Sequence, residues 1–281
     1  MITVSIVLYK TPRQMLDGAV KSVLRSSLVA KLYLIDNSPQ NIDVKYDDQR
    51  VEYFFTGRNL GYSKAHNLVL LDPKRREKYH LVMNPDVWFN PGSLEAVYDF
   101  MEQREDVDLI ITKILNPNNT VQYQCRMLPT PFILFARRFL PYFLYRNMNK
   151  NFEMQFSGYN KMMEVPYING SFMFFRGAVI DAVGGFDEKI FMYGEDLDLS
   201  RRVFEYSKVF FLPDVSVYHE HQRGSYKNWK LLYYHAKGIC YYFSKWGWFF
   251  DKRRKEINKK LLKDWESFSG SGLPTVTRFT S

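Results

Sequence analysis

Nowhere in the 281 residues does a run of the roughly eighteen consecutive apolar residues needed to span a membrane occur. The first ten residues, MITVSIVLYK, lack the basic start of a signal peptide and read instead as a core strand. Cysteine is nearly absent. Cys125 and Cys240 have no metal-ligand spacing, so a thiolate zinc site is excluded, and a reducing cytoplasm is a simpler expectation than a single disulfide. No Gly-x-Gly-x-x-Gly follows the first strand, which removes the usual dinucleotide fingerprint. Acidic residues are the minority: 39 Lys and Arg face 30 Asp and Glu, a formal net charge of +9.

Hydrophobic residues make up 46% of the chain and aromatics 17%, enough for a sizeable core. The basic excess is uneven. Seven of the thirteen residues in 251–263, DKRRKEINKKLLK, are Lys or Arg. Such a run is commonly a solvated helix face, but WGWFF precedes it, and aromatics beside basic residues also suit an anionic membrane surface. No nucleic-acid motif accompanies the run, so a nucleic-acid partner is not expected. Residues 127–150 similarly mix aromatics and prolines with Arg137, Arg138 and Arg146. They read either as a core-packed connector or as an amphipathic element touching a membrane or a greasy substrate.

Strand and helix signals alternate along the first half. Strands are expected at 3–9, 31–38, 51–55, 79–87 and 107–115. Helices are expected from Pro12, from Gly61 and from Pro91 to about Arg104. Later strand signals fall at 162–168, 171–175, 209–212 and 215–220, a helix at 226–246, and a mobile Ser/Gly/Thr-rich tail at the end. This order predicts an α/β fold with a mostly parallel, twisted central sheet, Rossmann-like, in which ligands bind outside the carboxyl ends of the strands. Asp36, Asn59 and Asp86 all lie at or just after such ends.

Several short stretches can carry chemistry, and each also has a plain structural reading. Asp86, in Asn84-Pro85-Asp86-Val87, can hold a hard cation such as Mg²⁺ or Mn²⁺ together with substrate phosphates, although Asn-Pro-Asp is also an ordinary turn. Asp36 is either the head of an Asx-turn or an acceptor for a nucleotide base or sugar. Arg58 and the glycine-opened helix at Gly61 suit a phosphate, or are a simple helix start. The stretch FDEKIFMYGEDLDLSRRV packs five carboxylates, Asp187, Glu188, Glu195, Asp196 and Asp198, into twelve positions. Glu195 and Asp196 either complement a helix N-terminus or, desolvated by aromatic neighbours, include a general base. His219 and His221, two apart after a strand, point to opposite faces, so one of them is a candidate metal or phosphate ligand.

Taken in order, VSIVLYK, LIDNSP, NLGYSKAHN, MNPDV, GGFDEKIFMYGEDLDLSRR and YHEHQRGS resemble the inverting nucleotide-sugar glycosyltransferases of family 2. The resemblance runs from about residue 2 to 225 and is closest to bacterial rhamnosyltransferases of O-antigen and capsule synthesis. It implies a single A-type nucleotide-sugar-binding catalytic domain over 1–225, followed by a basic, aromatic helical extension over 226–281. It implies that Tyr9, Asp36, Arg58, Asn59, Gly61, Asn84 and Asp86 line the nucleotide site, with Asp36 on the base. Asn84 stands where the family commonly has an aspartate. Asp86 is implied to meet Mn²⁺ or Mg²⁺, with His219 rather than His221 as its helper. Asp196 is implied to be the general base, paired with Glu195.

The implied reaction moves a sugar, rhamnose from dTDP-rhamnose or alternatively a hexose from a UDP-sugar, onto a glycan acceptor on a polyprenyl carrier. It places the protein in the cytoplasm, peripherally on the inner membrane, through 127–150 or 246–263. Its oligomeric state is not legible. Two rivals use the same residues: a glycoside hydrolase, which also needs two carboxylates but no metal, and a non-catalytic RNA- or membrane-binding module on the same fold.

Overall fold

The structure is a computed structural model that describes residues 1–42, 44–220 and 229–270, with side chains through 266. His221 and the Ser/Gly/Thr-rich tail lie outside the described residues. In chain order the strands are β1 (Ile2–Leu8), β2 (Val29–Asp36), β3 (Val51–Phe55), β4 (Tyr79–Met83), β5 (Val87–Phe89), β6 (Val107–Leu115), β7 (Val121–Gln122), β8 (Cys125–Arg126), β9 (Met163–Glu164), β10 (Tyr167–Ile168), β11 (Phe172–Arg176) and β12 (Lys208–His219). The helices are α1 (Arg13–Leu24), α2 (Gly61–Leu70), α3 (Ser93–Gln103), α4 (Pro131–Phe139), α5 (Tyr142–Phe152), α6 (Gly177–Val183), α7 (Glu195–Tyr206), α8 (Trp229–Trp246) and α9 (Lys252–Gly270).

The central sheet has the order β3-β2-β1-β4-β11-β6-β12-β5. Neighbours from β3 to β4 are parallel, as are β6 and β12. Strand β11 is inserted antiparallel between β4 and β6, and β5 runs antiparallel at the edge. The side-chain alternation of a strand explains why helices cover both faces. Leu32 and Leu34 of β2 join the main core, which also takes in Leu16, Ala19 and Val23 of α1, whereas Tyr33 and Ile35 pack in a second cluster with Ala65 and Val69 of α2.

Three expectations are corrected. The strand expected at 79–87 stops at Met83, because residues 84–86 turn the chain back into β5. The strand expected at 162–168 is interrupted at Val165 and Pro166, whose neighbours pair with different partners, β9 with β12 and β10 with β8. The two strands expected at 209–212 and 215–220 are one, β12, with an irregularity between Leu212 and Ser216 around Pro213. Residues 127–150 contain two helices, α4 and α5, the first opened by Thr130, whose side chain accepts the Ile133 N–H. Both cysteines are free, Cys125 buried and Cys240 exposed.

The C-terminal helices share the main core through Tyr242, Phe243, Ile257 and Leu261. A buried two-pronged pair, Arg201 with Asp251 at 2.6 and 3.0 Å, ties the loop before α9 to α7. Asp198, fully buried, accepts from Arg202 Nε, Lys245 Nζ and Trp246 Nε1 and ties α8 to the same helix. Two of the five acids of the stretch are thereby explained: Asp198 joins α7 to α8, and Asp187 accepts from Tyr241 and Lys245.

Candidate active site

A cleft of about 280 Å³ opens at the carboxyl ends of β1, β2 and β4. Tyr9, Asn59, Gly61, Asn84 and Asp86 line it, joined by Lys10, Asn37 and Tyr62. Two of the expected residues do not. Arg58 stands exposed in the turn before α2. Asp36 is fully buried behind the cleft, where Oδ1 accepts the Ser38 N–H at 2.9 Å and Oδ2 accepts the Tyr53 hydroxyl at 2.5 Å and the Ile42 N–H at 3.3 Å. Its side chain holds the segment after β2, and the next residue, Asn37, faces the cleft.

Gly61 is required by close packing. It has a φ of +81°, and a Cβ there would lie 2.4 Å from the Phe191 carbonyl oxygen. The following N–H, of Tyr62, donates to that same oxygen at 2.8 Å. Ser63 Oγ donates to the Ile190 carbonyl at 2.5 Å, and Asn67 bonds both the N–H and the carbonyl of Phe186. Helix α2 thus clamps the acidic loop in place. Gly238 of α8 does the same from the other side, since a Cβ there would come within 2.0 Å of the Tyr193 carbonyl.

Asp86 and His219 meet at one rim. Asp86 Oδ1 is buried, accepts no hydrogen bond among the described residues, and lies 3.4 Å from His219 Nε2. On the other side of the ring, His219 Nδ1 is 3.1 Å from Gln122 Oε1. The Gln122 amide nitrogen donates to the His219 carbonyl and to Asn116 Oδ1, which fixes Oε1 as the end facing the ring. Nδ1 therefore carries the proton, and Nε2 turns a lone pair toward an orphaned carboxylate oxygen. A carboxylate oxygen and an imidazole nitrogen facing each other at this distance are a donor set that suits a divalent cation. Among the described residues no third His, Cys, Asp or Glu completes a cluster, and Mg²⁺ or Mn²⁺ held by so few protein ligands would take substrate oxygens and water as well.

Glu195 and Asp196 open α7 and are nearly buried, 6% and 8% exposed. Asp196 Oδ2 accepts the Gly170 N–H at 3.0 Å and Oδ1 accepts the Leu197 N–H at 2.8 Å, while Glu195 Oε2 is buried without a hydrogen bond. Burial raises both pKa values. The Asp196 charge raises that of Glu195 further, and the Arg126 guanidinium partly restrains that of Asp196. Arg126 donates to the Tyr167 hydroxyl and to Gln124 Oε1.

The turn Asn169-Gly170-Ser171 joins the two halves. Its Gly170 carbonyl accepts the Tyr62 hydroxyl at 2.6 Å and its Ser171 carbonyl accepts the Asn84 N–H at 3.0 Å, while the Gly170 N–H holds Asp196. Burial and the charges of Glu195, Asp196 and Asp86 together raise the Tyr62 pKa, which marks this phenol as lying among all three acids. Sequence reasoning missed Tyr62, Gly170, Arg126 and Gln122. The Asn-Gly pair between two strand signals was a legible turn. The other three had no local signal.

Residues 37–236 match the family described as glycosyltransferase like family 2. The chain is 29% identical over 187 residues to N-acetylglucosaminyl-diphospho-decaprenol L-rhamnosyltransferase of Mycobacterium tuberculosis, covering 63% of this chain and 60% of that protein. It is 27% identical over 185 residues to the low-salt glycan biosynthesis hexosyltransferase Agl10 of Haloferax volcanii, covering 63% and 54%. The chain therefore spans 54–60% of the length of these curated relatives. Among solved structures it is similar to GalNAc-T7 crystallised with UDP, GalNAc and Mn²⁺, at 13% identity and TM-score 0.57 over 78% of this chain and 42% of that one. It is also similar to S. aureus TarS 1–349, at 13% identity and TM-score 0.52 over 96% and 73%. The mixed, mostly parallel sheet is of the A-type glycosyltransferase kind.

Proposed function

Because the chain belongs to the glycosyltransferase-like family 2, we propose that it is an inverting glycosyltransferase that moves a sugar from a nucleotide donor onto a lipid-linked glycan. The observation that carries this reading is one continuous hydrogen-bonded unit. Through the turn at Gly170 it connects a buried acid pair with raised pKa to the backbone of the Asn84–Asp86 turn, beside a cleft of nucleotide-site residues.

In this reading the nucleotide lies against Tyr9, Asn37, Asn59, Gly61 and Asn84, with Asp36 shaping the base-side segment from behind and Arg58 at its outer edge. Asp86 and His219 are the residues that fit Mn²⁺ or Mg²⁺, and a divalent ion bound there supplies positive charge against the leaving diphosphate. Asp196 takes the proton from the acceptor hydroxyl as that oxygen attacks the anomeric carbon. The bond from that carbon to the diphosphate oxygen breaks on the opposite face, and the configuration inverts. Glu195, raised by burial and by the charge of Asp196, takes up a proton more readily and leaves Asp196 as the ionised member of the pair. Residues 1–225 are the donor-binding body and 226–281 an extension, of which α8 packs against the acidic loop at Gly238.

The relative from M. tuberculosis, named for L-rhamnosyl transfer to N-acetylglucosaminyl-diphospho-decaprenol, supports rhamnose as the sugar and a polyprenyl diphosphate acceptor, and dTDP-rhamnose is the donor in this reading. Hexosyl transfer, as in the name of Agl10, supports another hexose as the alternative, for which a UDP-sugar is the donor in this reading. We place the enzyme peripherally at the cytoplasmic face of the inner membrane, in surface polysaccharide synthesis. Among the described residues, no helix is long and apolar enough to cross a membrane.

The test is calorimetric titration of dTDP-rhamnose, UDP-glucose, UDP-galactose and GDP-mannose, with Mn²⁺, with Mg²⁺ and with chelator, on wild type and Asp86→Ala. One donor is expected to bind with metal and to lose at least about tenfold in affinity in the variant, the scale of losing a ligand-supporting group. Equal donor binding in Asp86→Ala and in chelator would sink the assignment.

A further inference from the structure

Two surfaces combine aromatic and basic residues, and they are built differently. In α9 the apolar side chains of the basic run, Ile257 and Leu261, are buried, as is Arg254, which donates to the Pro129 and Trp248 carbonyls. That helix spends its apolar face on the fold and leaves solvated lysines outside, and the exposed aromatics beside it, Phe249 and Phe250, stand in the short loop before it and not on a helix face.

The α4–α5 pair is the reverse. Ile133 and Ala136 face inward, while Phe132, Phe135 and Phe139 form an outward stripe at i, i+3 and i+7. Beyond the turn at Pro141 the stripe continues with Tyr142, Phe143 and Leu144. Exposure reaches 65% at Phe139 and 70% at Phe143. A soluble surface does not ordinarily gather so many large apolar side chains.

This face is held rigidly. Arg137 bonds Asn149 and pairs with Glu153 at 2.6 Å, and Asn149 donates to Glu153 at 2.8 Å, which cross-braces the two helices. Asn258 of α9 fixes the incoming segment by bonding both the N–H and the carbonyl of Leu128. The outward aromatics are therefore presented by a braced hairpin.

Charge selects the occupant. From Pro131 to Phe152 there is no Asp or Glu; Arg137 is offset by Glu153, and Arg138, Arg146 and Lys150 carry the positive charge of the face. A second copy docked about a two-fold axis would set this positive face against itself. An anionic bilayer complements both the charge and the aromatic stripe.

We propose that the α4–α5 hairpin is the membrane-docking surface of this protein, lying in the interface of an anionic bilayer with Phe132, Phe135, Phe139, Phe143 and Leu144 among the lipid. It deepens the proposed function, since the strand that carries Arg126 ends only four residues before Pro131. A docked hairpin therefore holds the Arg126 side of the Glu195–Asp196 pair near the bilayer, where a lipid-linked acceptor is found.

The experiment is vesicle co-sedimentation of the full chain, on phosphatidylcholine alone and with about one-third phosphatidylglycerol, a mixture that sets up the surface potential in question. Wild type is expected to partition onto the anionic vesicles and to be released by salt. Phe135→Ser/Phe139→Ser/Phe143→Ser should lower the partition coefficient at least about tenfold on the same vesicles. Arg138→Gln/Arg146→Gln/Lys150→Gln should lower it by about 100-fold at low salt and abolish the preference for anionic lipid. Lys259→Gln/Lys260→Gln/Lys263→Gln on α9 should change it less than threefold, within the noise of about one weak surface charge. Thermal melting and donor calorimetry on each variant separate this outcome from misfolding and from failure of the transferase reading. Wild-type-like vesicle binding by the aromatic variant overturns the proposal. So does a wild type that ignores vesicles, including one that forms a dimer which the aromatic variant dissolves.

Discussion

Replacing Asp196 by Asn tests the proposed base, because the structure separates its chemical cost from its structural cost. The carboxylate is nearly buried and receives two backbone N–H groups, those of Gly170 and Leu197. An asparagine of the same shape accepts only one of them and turns an NH₂ toward the other, a cost of about 1–3 kcal/mol for an unsatisfied buried group. Against this, the substitution removes a charge that burial already disfavours, and it removes the like charge that raises the Glu195 pKa. The two effects oppose, so the net loss should stay within about 2 kcal/mol, or about 4–8 °C in melting temperature for a chain of this size. The catalytic loss is larger. General-base catalysis contributes about 10²–10⁴-fold, or about 2.7–5.5 kcal/mol in the barrier. The assay measures initial rates of nucleoside diphosphate release in the presence of acceptor, with donor affinity by calorimetry and melting by fluorescence. The expected result is kcat reduced by about two to four orders of magnitude, with donor affinity unchanged. The acid limb of the wild-type profile should also lie above the ordinary carboxylate range and disappear in the variant. A variant within tenfold of wild type, folded and binding donor, would refute Asp196 as the base.

The remaining predictions concern charge. Removing Arg126 as Arg126→Met leaves burial to raise the Asp196 pKa without its restraint, so the acid limb of kcat/KM should move to higher pH; an unmoved limb in a pH–rate series counts against the coupling. The buried chain Thr3–His80–Ser5–His66 predicts acid sensitivity of the fold: burial pushes the His80 pKa down to about 3, whereas the unfolded imidazole titrates near 6.5. A depressed histidine contributes stability that is present above pH 6.5 and lost as pH falls toward 3, about 2 kcal/mol by pH 5. Urea titrations at pH 7.5 and 5.0 should therefore show wild type losing about 2 kcal/mol more than His80→Gln, and equal losses would refute it.

The alternation of strands and helices was legible because each strand from β1 to β4 is a hydrophobic run closed by a turn residue, and α1 and α2 keep helical spacing. The antiparallel insertion of β11 was not legible, because no local pattern records which neighbours a buried strand takes. Asp36 shows the same limit at the scale of one residue. Its position at the end of β2 announced a polar turn, and the turn is there. Which way the carboxylate faces was decided by Tyr53, seventeen residues on, whose hydroxyl takes the oxygen that a ligand would otherwise meet.

The site divides along the same line. Asp86, Glu195 and Asp196 stood out because acids close a hydrophobic strand or crowd a helix start among aromatic side chains, even though each stretch also reads as an ordinary turn or cap. Gln122, Tyr62 and Arg126 give those acids their chemistry, and each is ordinary in its own neighbourhood. Gln122 lies in a two-residue strand, yet it sets the His219 tautomer from 97 positions away. Tyr62 reaches across 108 positions to the Gly170 carbonyl. A carboxylate buried with its charge uncompensated would simply take up a proton. What distinguishes a base or a cation ligand from an expensive core acid is the set of distant partners that hold it, and those partners are fixed by the sheet order β1-β4-β11-β6-β12. That order brings the ends of β4 and β12, the turn before β11 and the start of α7 to one edge of the cleft. The chemistry therefore became readable only once the strand order was known, although the acids themselves were in view from the start.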